Sequence, residues 1–277
     1  MNDPTASPLL GPPLAHLALL RFSGADAVSF LQGQLTQDLR RLEDGSTRLA
    51  ALNTPQGRVV ATLWLQGDAT LFGLLPAELA EPVIARLRRY VLRAKVVIEA
   101  LPDWTLREIP GGANHEPAGS VRFGMPDGRA LLALPGAAAP SEPATRDWLR
   151  RDLAAGLPVL GTATTEQFVA QMLNLDCLDA ISFAKGCYTG QEIVARTQNL
   201  GRIKRRLLRY QVAAPAPPAP MSSLLSDAIK VGDVLYGVPS AEGGSEFLAV
   251  VQLEARDLPL RTETGHTATP LALPYSP

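Results

Sequence analysis

The sequence is poor in the side chains from which metal sites and disulfide frameworks are built. It holds two cysteines, Cys177 and Cys187, and three histidines in 277 residues. The two cysteines are too few for a disulfide scaffold and lack the Cys-x-x-Cys spacing of zinc and redox motifs. An iron–sulfur cluster normally takes four thiolates. We therefore predict no metal site within this chain, while a cluster shared with a partner chain stays open.

Net charge and long apolar runs are missing as well. The 26 Lys and Arg residues nearly balance the 27 Asp and Glu residues, which leaves a formal charge of −1. Such a balance creates no global field that would attract nucleic acid or a membrane surface. No apolar run approaches the roughly 20 residues of a membrane-spanning helix. We expect neither nucleic acid nor a membrane as a partner.

The start of the chain lacks the features of a targeting segment. Residues 1–13 carry no basic residue and contain four prolines. Signal peptides begin with a basic region and transit peptides are rich in Arg, so neither is indicated. We predict that residues 1–13 are disordered and that the protein, with its unpaired cysteines, is cytoplasmic.

No histidine is placed as a base for a cysteine nucleophile. His16 falls in the first predicted strand, His115 in a Gly- and Pro-rich loop, and His266 near the end of the sequence. A cysteine protease or acyltransferase needs a histidine beside its thiol. The sequence therefore disfavours both classes of enzyme.

Apolar patterns predict an α+β fold. Between Leu14 and Ala100 the segments follow the order strand, helix, three strands, helix, strand, which indicates a split sheet backed by helices. Later short strands indicate a small C-terminal β-barrel. The Ala- and Pro-rich stretch 213–220 is either an interdomain linker or a surface loop. The predicted organisation is a disordered segment at 1–13, an N-terminal α+β part at 14–101, a second α+β part at 102–200 and the barrel at 201–277.

The first predicted helix contains an unusual polar stretch. Helical spacing continues to Leu39, yet residues 32–38 read Gln-Gly-Gln-Leu-Thr-Gln-Asp. Glycine lowers helix stability, so Gly33 marks either a tolerated irregularity or a close approach of the backbone to a ligand.

The densest chemistry lies in residues 185–192, which read KGCYTGQE. The glycines around Cys-Tyr-Thr predict a loop, followed by a helix that begins at Gln191 or Glu192. A nearby cation such as Lys185, or a helix N-terminus, would lower the pKa of the Cys187 thiol and make it reactive. The alternative is a small buried residue. Cys177 has apolar neighbours and is predicted to lie in the core.

Two other features have both a structural and a binding interpretation. The turn Asn53–Arg58 joins two predicted strands and is interpreted as a hairpin turn. Basic residues gather at 86–95 and 196–209, where a solvated face and an anion site are both possible. Aromatic residues are scarce among them, which disfavours nucleic acid.

The KGCYTGQE motif, with Asn174-Leu175-Asp176 and Ile181-Ser182-Phe183 before it, resembles the signature of the YgfZ family of folate-binding proteins. The stretch Phe30–Asp38 and the turn ending at Gly57-Arg58 are similar to that family's N-terminal pattern. The family is related in fold to the aminomethyltransferase, or T-protein, of the glycine cleavage system. The resemblance implies a T-protein-like folate-binding body of three domains around a central hole for tetrahydrofolate. It also implies a role in the assembly or repair of iron–sulfur enzymes.

The resemblance implies partners and site residues too. The expected partners are folate and iron–sulfur enzymes or their assembly factors. Cys187 would be the working thiol and Lys185 its activator. The residues expected to contact tetrahydrofolate are Tyr188, Gln191, Glu192, Arg196, Gln32, Asn53 and Arg58.

One position departs from the T-protein pattern. T-proteins carry an acidic pair shortly after the turn, where this sequence has Ala61 and Thr62. Neither side chain can act as a carboxylate base, so glycine cleavage is disfavoured.

Three hypotheses about the function remain. The first is a folate-binding accessory protein for iron–sulfur enzymes, the second a folate-dependent one-carbon transferase of unknown substrate, and the third a scaffold that binds no folate.

Overall fold

The structure is a computed structural model, and it describes residues 10–109, 116–199 and 201–277. His115 and the first nine residues of the predicted disordered segment lie outside this range. Gly11 and Pro13, by contrast, are held by backbone hydrogen bonds. Gly11 N donates to Glu108 O at 2.9 Å, and Ser141 N donates to Pro13 O at 2.8 Å. The predicted disorder therefore does not include these two residues.

Strands predominate in the described residues. Their bounds are β1 Leu17–Ser23, β2 Arg48–Asn53, β3 Val59–Gly67, β4 Leu71–Pro76, β5 Val97–Ala100, β6 Trp104–Ile109, β7 Val121–Gly124, β8 Ala130–Pro135, β9 Arg205–Val212, β10 Ser223–Ser226, β11 Ile229–Pro239, β12 Ser245–Gln252, β13 Leu260–Thr262 and β14 Thr267–Leu271. The α-helices are α1 Ala27–Gln32, α2 Ala80–Arg88, α3 Glu142–Ala154 and α4 Gln191–Asn199. Short 3₁₀ helices cover Leu39–Asp44, Ala77–Leu79, Ala170–Leu173 and Leu253–Ala255. None of the helices described is long and apolar enough to span a bilayer.

The chain divides into two compact units. The first unit comprises Met1–Leu31, Leu39–Arg48 and Leu63–Thr145, and the second comprises Gln32–Asp38, Leu49–Thr62 and Arg146–Pro277. The chain therefore enters each unit more than once. The predicted domain boundaries stay predictions.

A five-stranded sheet has the order β2-β3-β4-β1-β5. β3 passes from the second unit to the first after Thr62. In the first unit β1 lies between β4 and β5, since Leu20 is aligned with Gly73 of β4 and with Ala100 of β5. The first unit also holds a three-stranded sheet of order β6-β8-β7. These mixed layers confirm the predicted α+β class.

The second unit contains a closed barrel of order β10-β11-β12-β9-β14-β13. Its core includes Tyr210 and Phe247, whose rings stack with centroids 5.6 Å apart. The predicted C-terminal barrel is thus confirmed. The Pro-rich stretch 213–220 joins β9 to β10 within this barrel, so it is a loop of the barrel and not an interdomain linker.

The amphipathic pattern of residues 76–94 predicts one helix that continues to Ala94, but α2 ends at Arg88. The chain must turn back here because β5 pairs with β1 from Val97 onward. Lys95 N donates to Asp26 Oδ2 at 2.7 Å, which fixes the return. The apolar spacing continues past the end of the helix because tertiary pairing overrides local propensity.

Candidate functional site

The KGCYTGQE motif forms a loop that leads into α4, as the sequence predicts, and this loop packs on the turn after β2. Gly190 has φ +79°. A Cβ atom at Gly190 would lie 2.5 Å from Thr54 O and 3.0 Å from the Cα of Gly57. Close backbone contact therefore requires glycine at this position.

The turn Asn53–Arg58 is the hairpin turn that the sequence predicts. Thr54 N donates to Arg58 O at 2.8 Å, and Gly57 N donates to Thr54 O at 2.9 Å. Gly57 has φ +73°, and a Cβ atom there would lie 2.7 Å from the Cβ of Ile193 on α4. The turn and the motif thus form one packed unit, although they lie far apart in the sequence.

Lys185 is buried at the start of the motif, with 5% of its surface exposed. Its Nζ donates to the carbonyl oxygens of Gln32, Leu35 and Gln37, at 2.8, 2.7 and 2.7 Å. An ammonium group has three N–H donors, so these carbonyls match its bonding capacity. The Tyr188 ring centroid lies 5.2 Å from the same nitrogen. Helix α1 ends at Gln32 because the carbonyls that follow turn towards Lys185 and not along a helix axis.

The polar stretch 32–38 is also fixed by its own side chains. Thr36 Oγ1 donates to Ala180 O at 2.6 Å and accepts a hydrogen bond from Ala51 N at 2.8 Å. Gln37 Nε2 donates to Asp179 O at 2.5 Å. The unusual polarity that the sequence shows here therefore serves a buried hydrogen-bond network around Lys185.

The two cysteines are both exposed and unpaired. Exposure of Cys187 excludes its interpretation as a small buried residue. The prediction that Cys177 lies in the core is wrong, because its side chain reaches the surface, where Sγ donates to Ser276 O at 3.8 Å. Desolvation of the sulfur and the charge of Asp176 raise the pKa of the Cys177 thiol.

Tyr188 lies buried between Cys187 and the helix, with 7% of its surface exposed. Burial raises the pKa of its phenol to about 12. The ring is therefore neutral at physiological pH and offers an apolar face with a polar tip.

Asn53, the last residue of β2, has a buried amide without a partner. It is 1% exposed, and neither Nδ2 nor Oδ1 has a hydrogen-bond partner among the described residues. A buried polar group left unpaired costs roughly 1–3 kcal/mol. A Cβ atom at Gly190 would lie 3.0 Å from Asn53 Cβ, so this residue borders the motif loop. Its amide has the donor and acceptor that an edge of the pterin ring of folate requires.

The other predicted folate residues take varied positions. Gln191 is half-buried, and Glu192 and Arg196 are exposed on α4. Arg58 is exposed and its Nη1 donates to Gln167 O. Gln32 Nε2 donates to Asp38 Oδ1 at 2.9 Å.

A buried ion pair near the motif is a feature that the residue patterns do not reveal. Arg206 of β9 binds both carboxylate oxygens of Asp176, at 2.6 and 2.9 Å, and also donates to Gln171 O at 2.9 Å. Asn174 Nδ2 donates to Leu207 O at 2.8 Å. The polar residues of Asn174-Leu175-Asp176 are visible in the sequence, but the sequence does not show that strand β9 packs against them.

The same strand corrects the interpretation of the second basic cluster for three of its arginines, Arg205, Arg206 and Arg209. Arg205 Nη2 lies 2.5 Å from Asp233 Oδ2, and Arg209 Nη2 lies 2.5 Å from Glu246 Oε2. With Arg206, three arginines of β9 are therefore ion-paired. They form neither a solvated face nor an anion site.

No cluster of three or more His, Cys, Asp or Glu side chains suited to a metal ion occurs in the described part of the chain.

Relatives of known name cover most of the chain. The tRNA-modifying protein YgfZ of Yersinia pestis (strain Pestoides F) is 30% identical, with 99% of this chain and 96% of that protein covered. The chain belongs to the YgfZ family. The tRNA-modifying protein YgfZ of Pectobacterium carotovorum subsp. carotovorum (strain PC1) is 32% identical over 80% of this chain and 76% of that protein. No protein-family model matches the chain.

The fold of this YgfZ-family member is also that of a T-protein. The crystal structure of glycine cleavage system aminomethyltransferase T from Bartonella henselae matches with a TM-score of 0.68 and 16% identity. The match covers 95% of this chain and 84% of that one. The predicted T-protein-like fold is therefore confirmed.

At Ala61 and Thr62, which the resemblance leads us to compare with the acidic pair of T-proteins, neither side chain is a carboxylate. Ala61 is fully buried, and Thr62 is 7% exposed. Thr62 Oγ1 donates to Pro158 O at 3.3 Å. A methyl group and an engaged hydroxyl can neither accept a proton nor stabilise a cation as a carboxylate does.

Proposed function

We propose that the chain binds a reduced folate beside the KGCYTGQE motif and supports tRNA modification by assisting the assembly or repair of iron–sulfur enzymes. The buried, unpartnered amide of Asn53 carries the folate part of the proposal. The tRNA part rests on the names of the YgfZ relatives. The T-protein-like fold supports the same choice of ligand, since T-proteins handle folate.

The residues around the turn and the motif suit a folate. Its pterin ring has an edge of alternating donors and acceptors, which the Asn53 amide would pair, and a flat face, which Tyr188 would contact. Its glutamate tail is anionic, and Arg58 and Arg196 are exposed cations on the turn and on α4. Gln32, Gln191 and Glu192 are proposed as further polar contacts. A bound reduced folate would supply a carrier of one-carbon groups.

Calorimetric titration with tetrahydrofolate tests this site. Asn53→Ala should weaken binding about tenfold or more, because the ligand loses a buried hydrogen-bonding partner. Gln56→Ala is the matched control, since Gln56 is exposed on the same turn. Absence of binding by the unaltered chain, or equal affinity of the Asn53→Ala variant, would contradict the folate site.

Cys187 is proposed as the working thiol in support of iron–sulfur enzymes. Its exposure allows access by a partner protein or cluster, and Lys185 is proposed to make the thiol more reactive. Cys187→Ala should leave the fold intact and abolish support. Cys177→Ala is the matched control, because both cysteines are exposed and unpaired.

The measurement is complementation of a strain that lacks the gene for this protein. Iron–sulfur enzyme activity and tRNA modification should both return with the unaltered chain and with Cys177→Ala. Full support by Cys187→Ala would rule out the working role of this thiol.

A further inference from the structure

Exposed apolar side chains concentrate in one short segment of the first unit. The large hydrophobic side chains exposed in the described residues are Tyr90, Leu92, Val97, Phe183, Ile229 and Leu258. Three of these six lie between residues 90 and 97: Tyr90 is 39% exposed, Leu92 87% and Val97 52%. Contiguous exposed apolar surface marks an interaction site more often than single exposed residues do.

The same segment carries exposed positive charge. Arg89, Arg93 and Lys95 are exposed, and no residue in the described ranges accepts a hydrogen bond from their side chains. Neighbouring carboxylates are engaged elsewhere. Glu99 pairs with Arg21 at 2.8 Å, and Asp26 accepts the backbone N–H of Lys95 at 2.7 Å. We call Arg89, Tyr90, Leu92, Arg93, Lys95 and Val97 the basic apolar patch.

The backbone under the basic apolar patch is held at both ends. Tyr90 N donates to Leu87 O at 2.9 Å at the end of α2, and Val97 is paired with Ser23 of β1. Arg88 folds back, since its Nη2 donates to Ile98 O at 3.0 Å. A fixed backbone lowers the ordering cost of binding, so this segment can present its side chains to a partner.

We propose that the basic apolar patch binds an unpaired region of tRNA. Arg89, Arg93 and Lys95 would contact phosphates, Tyr90 would stack on a base, and Leu92 would offer apolar surface beside it. Three exposed cations within five positions of an exposed tyrosine along the chain are complementary to a polyanion with flat bases. Local charge suffices for such contacts, so the balanced total charge does not exclude nucleic acid. The inference rests on the tRNA part of the proposed function.

Fluorescence anisotropy of a labelled, unmodified tRNA transcript, titrated with the full chain at several salt concentrations, tests the proposal. The double variant Arg89→Ala/Arg93→Ala should weaken binding at least tenfold. It should also reduce the slope of log K against log salt by roughly one for each lost phosphate contact. Tyr90→Leu should weaken binding about fivefold or more with an unchanged slope, because only stacking is lost.

The double variant Arg256→Ala/Arg261→Ala is the charge-matched control, since both are exposed arginines of the second unit. Its affinity should equal that of the unaltered chain. Failure of tRNA to bind at about 0.1 M salt, or equal losses in the control and the patch variants, would overturn the inference. Titration of the same variants with tetrahydrofolate separates the two proposals. If the unaltered chain does not bind tetrahydrofolate, the folate site is overturned, whereas the measured tRNA affinity still decides the tRNA proposal.

Discussion

Lys185 is the residue on which the local structure of the site depends. Its ammonium group is buried, and three backbone carbonyls from the stretch 32–38 accept its hydrogen bonds. The carbonyls in turn have this cation as their donor, so removal of the side chain would leave several buried polar groups unpaired. A lysine in the motif therefore has a structural role that residue patterns do not reveal.

Lys185→Met should lower the free energy of unfolding by about 3 kcal/mol, because the carbonyls lose a charged donor in a buried place. The measurement is urea unfolding followed by circular dichroism. The control is Lys204→Met, at an exposed lysine of the second unit, which should change stability by less than about 0.5 kcal/mol. Equal stability of Lys185→Met and the unaltered chain would show that the carbonyls find other donors.

The proposed effect of Lys185 on Cys187 needs a separate measurement. If Lys185 activates the thiol, Lys185→Met should slow alkylation of Cys187 at neutral pH. The rate is measured with iodoacetamide in a Cys177→Ala background, so that only one thiol reacts. An unchanged rate would leave Lys185 with its structural role alone.

His16 should make stability depend on pH in the acid range. Burial, and then the charge of Arg129, lower the pKa of His16 from 6.5 to about 4. Between these values the unfolded chain binds a proton that the folded chain does not. Stability should therefore fall as pH drops from 6.5 towards 4, by up to about 3 kcal/mol.

Urea unfolding at pH 7 and pH 4.5 checks this expectation. His16→Leu should show a smaller loss of stability on acidification than the unaltered chain. His266→Gln replaces an exposed histidine and should keep the full loss. Equal pH dependence in all three proteins would exclude His16 as the source.

At the scale of elements, local patterns predict the strands well and the ends of helices poorly. The apolar runs at 14–22, 58–66 and 70–75 predict three strands from the segments themselves, and β1, β3 and β4 lie within three residues of these bounds. The ends of α1 and α2 depend on distant partners: Lys185 for the first, and the pairing of β5 with β1 for the second. A single sequence contains no direct signal for such partners.

The contact between the motif loop and the hairpin turn should depend on Gly190. Gly190→Ala should destabilise the chain by about 2 kcal/mol or more, because φ is +79° and the new Cβ would lie 2.5 Å from Thr54 O. Gly186→Ala is the matched control in the same loop, since no atom lies within 4 Å of its Cβ position. Urea unfolding measures the free energy of unfolding of both variants. Equal values would show that the loop backbone moves to accommodate the new Cβ atom.

At the scale of the whole molecule, the sequence allows prediction of the α+β class, the barrel and the family. The candidate site is predicted in part. Its members Lys185, Gln32, Asn53 and Cys187 follow from the resemblance. The hydrogen bonds from Lys185 to the carbonyls and the unpaired amide of Asn53 depend on how distant segments of the chain pack together, which a single sequence does not show. The ion pair between Arg206 and Asp176 belongs to the same class of features.

This ion pair should contribute strongly to the stability of the second unit. Arg206→Met should cost about 3 kcal/mol, because it leaves the largely buried carboxylate of Asp176 without its partner. Arg256→Met is the control: Arg256 and Asp257 are 57% and 86% exposed, so loss of their pair should cost less than about 1 kcal/mol. Thermal unfolding should place Arg206→Met well below both the control and the unaltered chain. Similar melting temperatures for both variants would contradict this assignment.

The hydrogen bonds of Lys185 also set an order of events during synthesis of the protein. Lys185 is separated from Gln32 by 153 positions along the chain. At roughly 5–20 residues per second, a ribosome adds Lys185 about eight to thirty seconds after Gln32. During that interval the stretch 32–38 has no ammonium group to organise its carbonyls. Any product terminated before residue 185 therefore lacks both the thiol and the cation that shapes its surroundings.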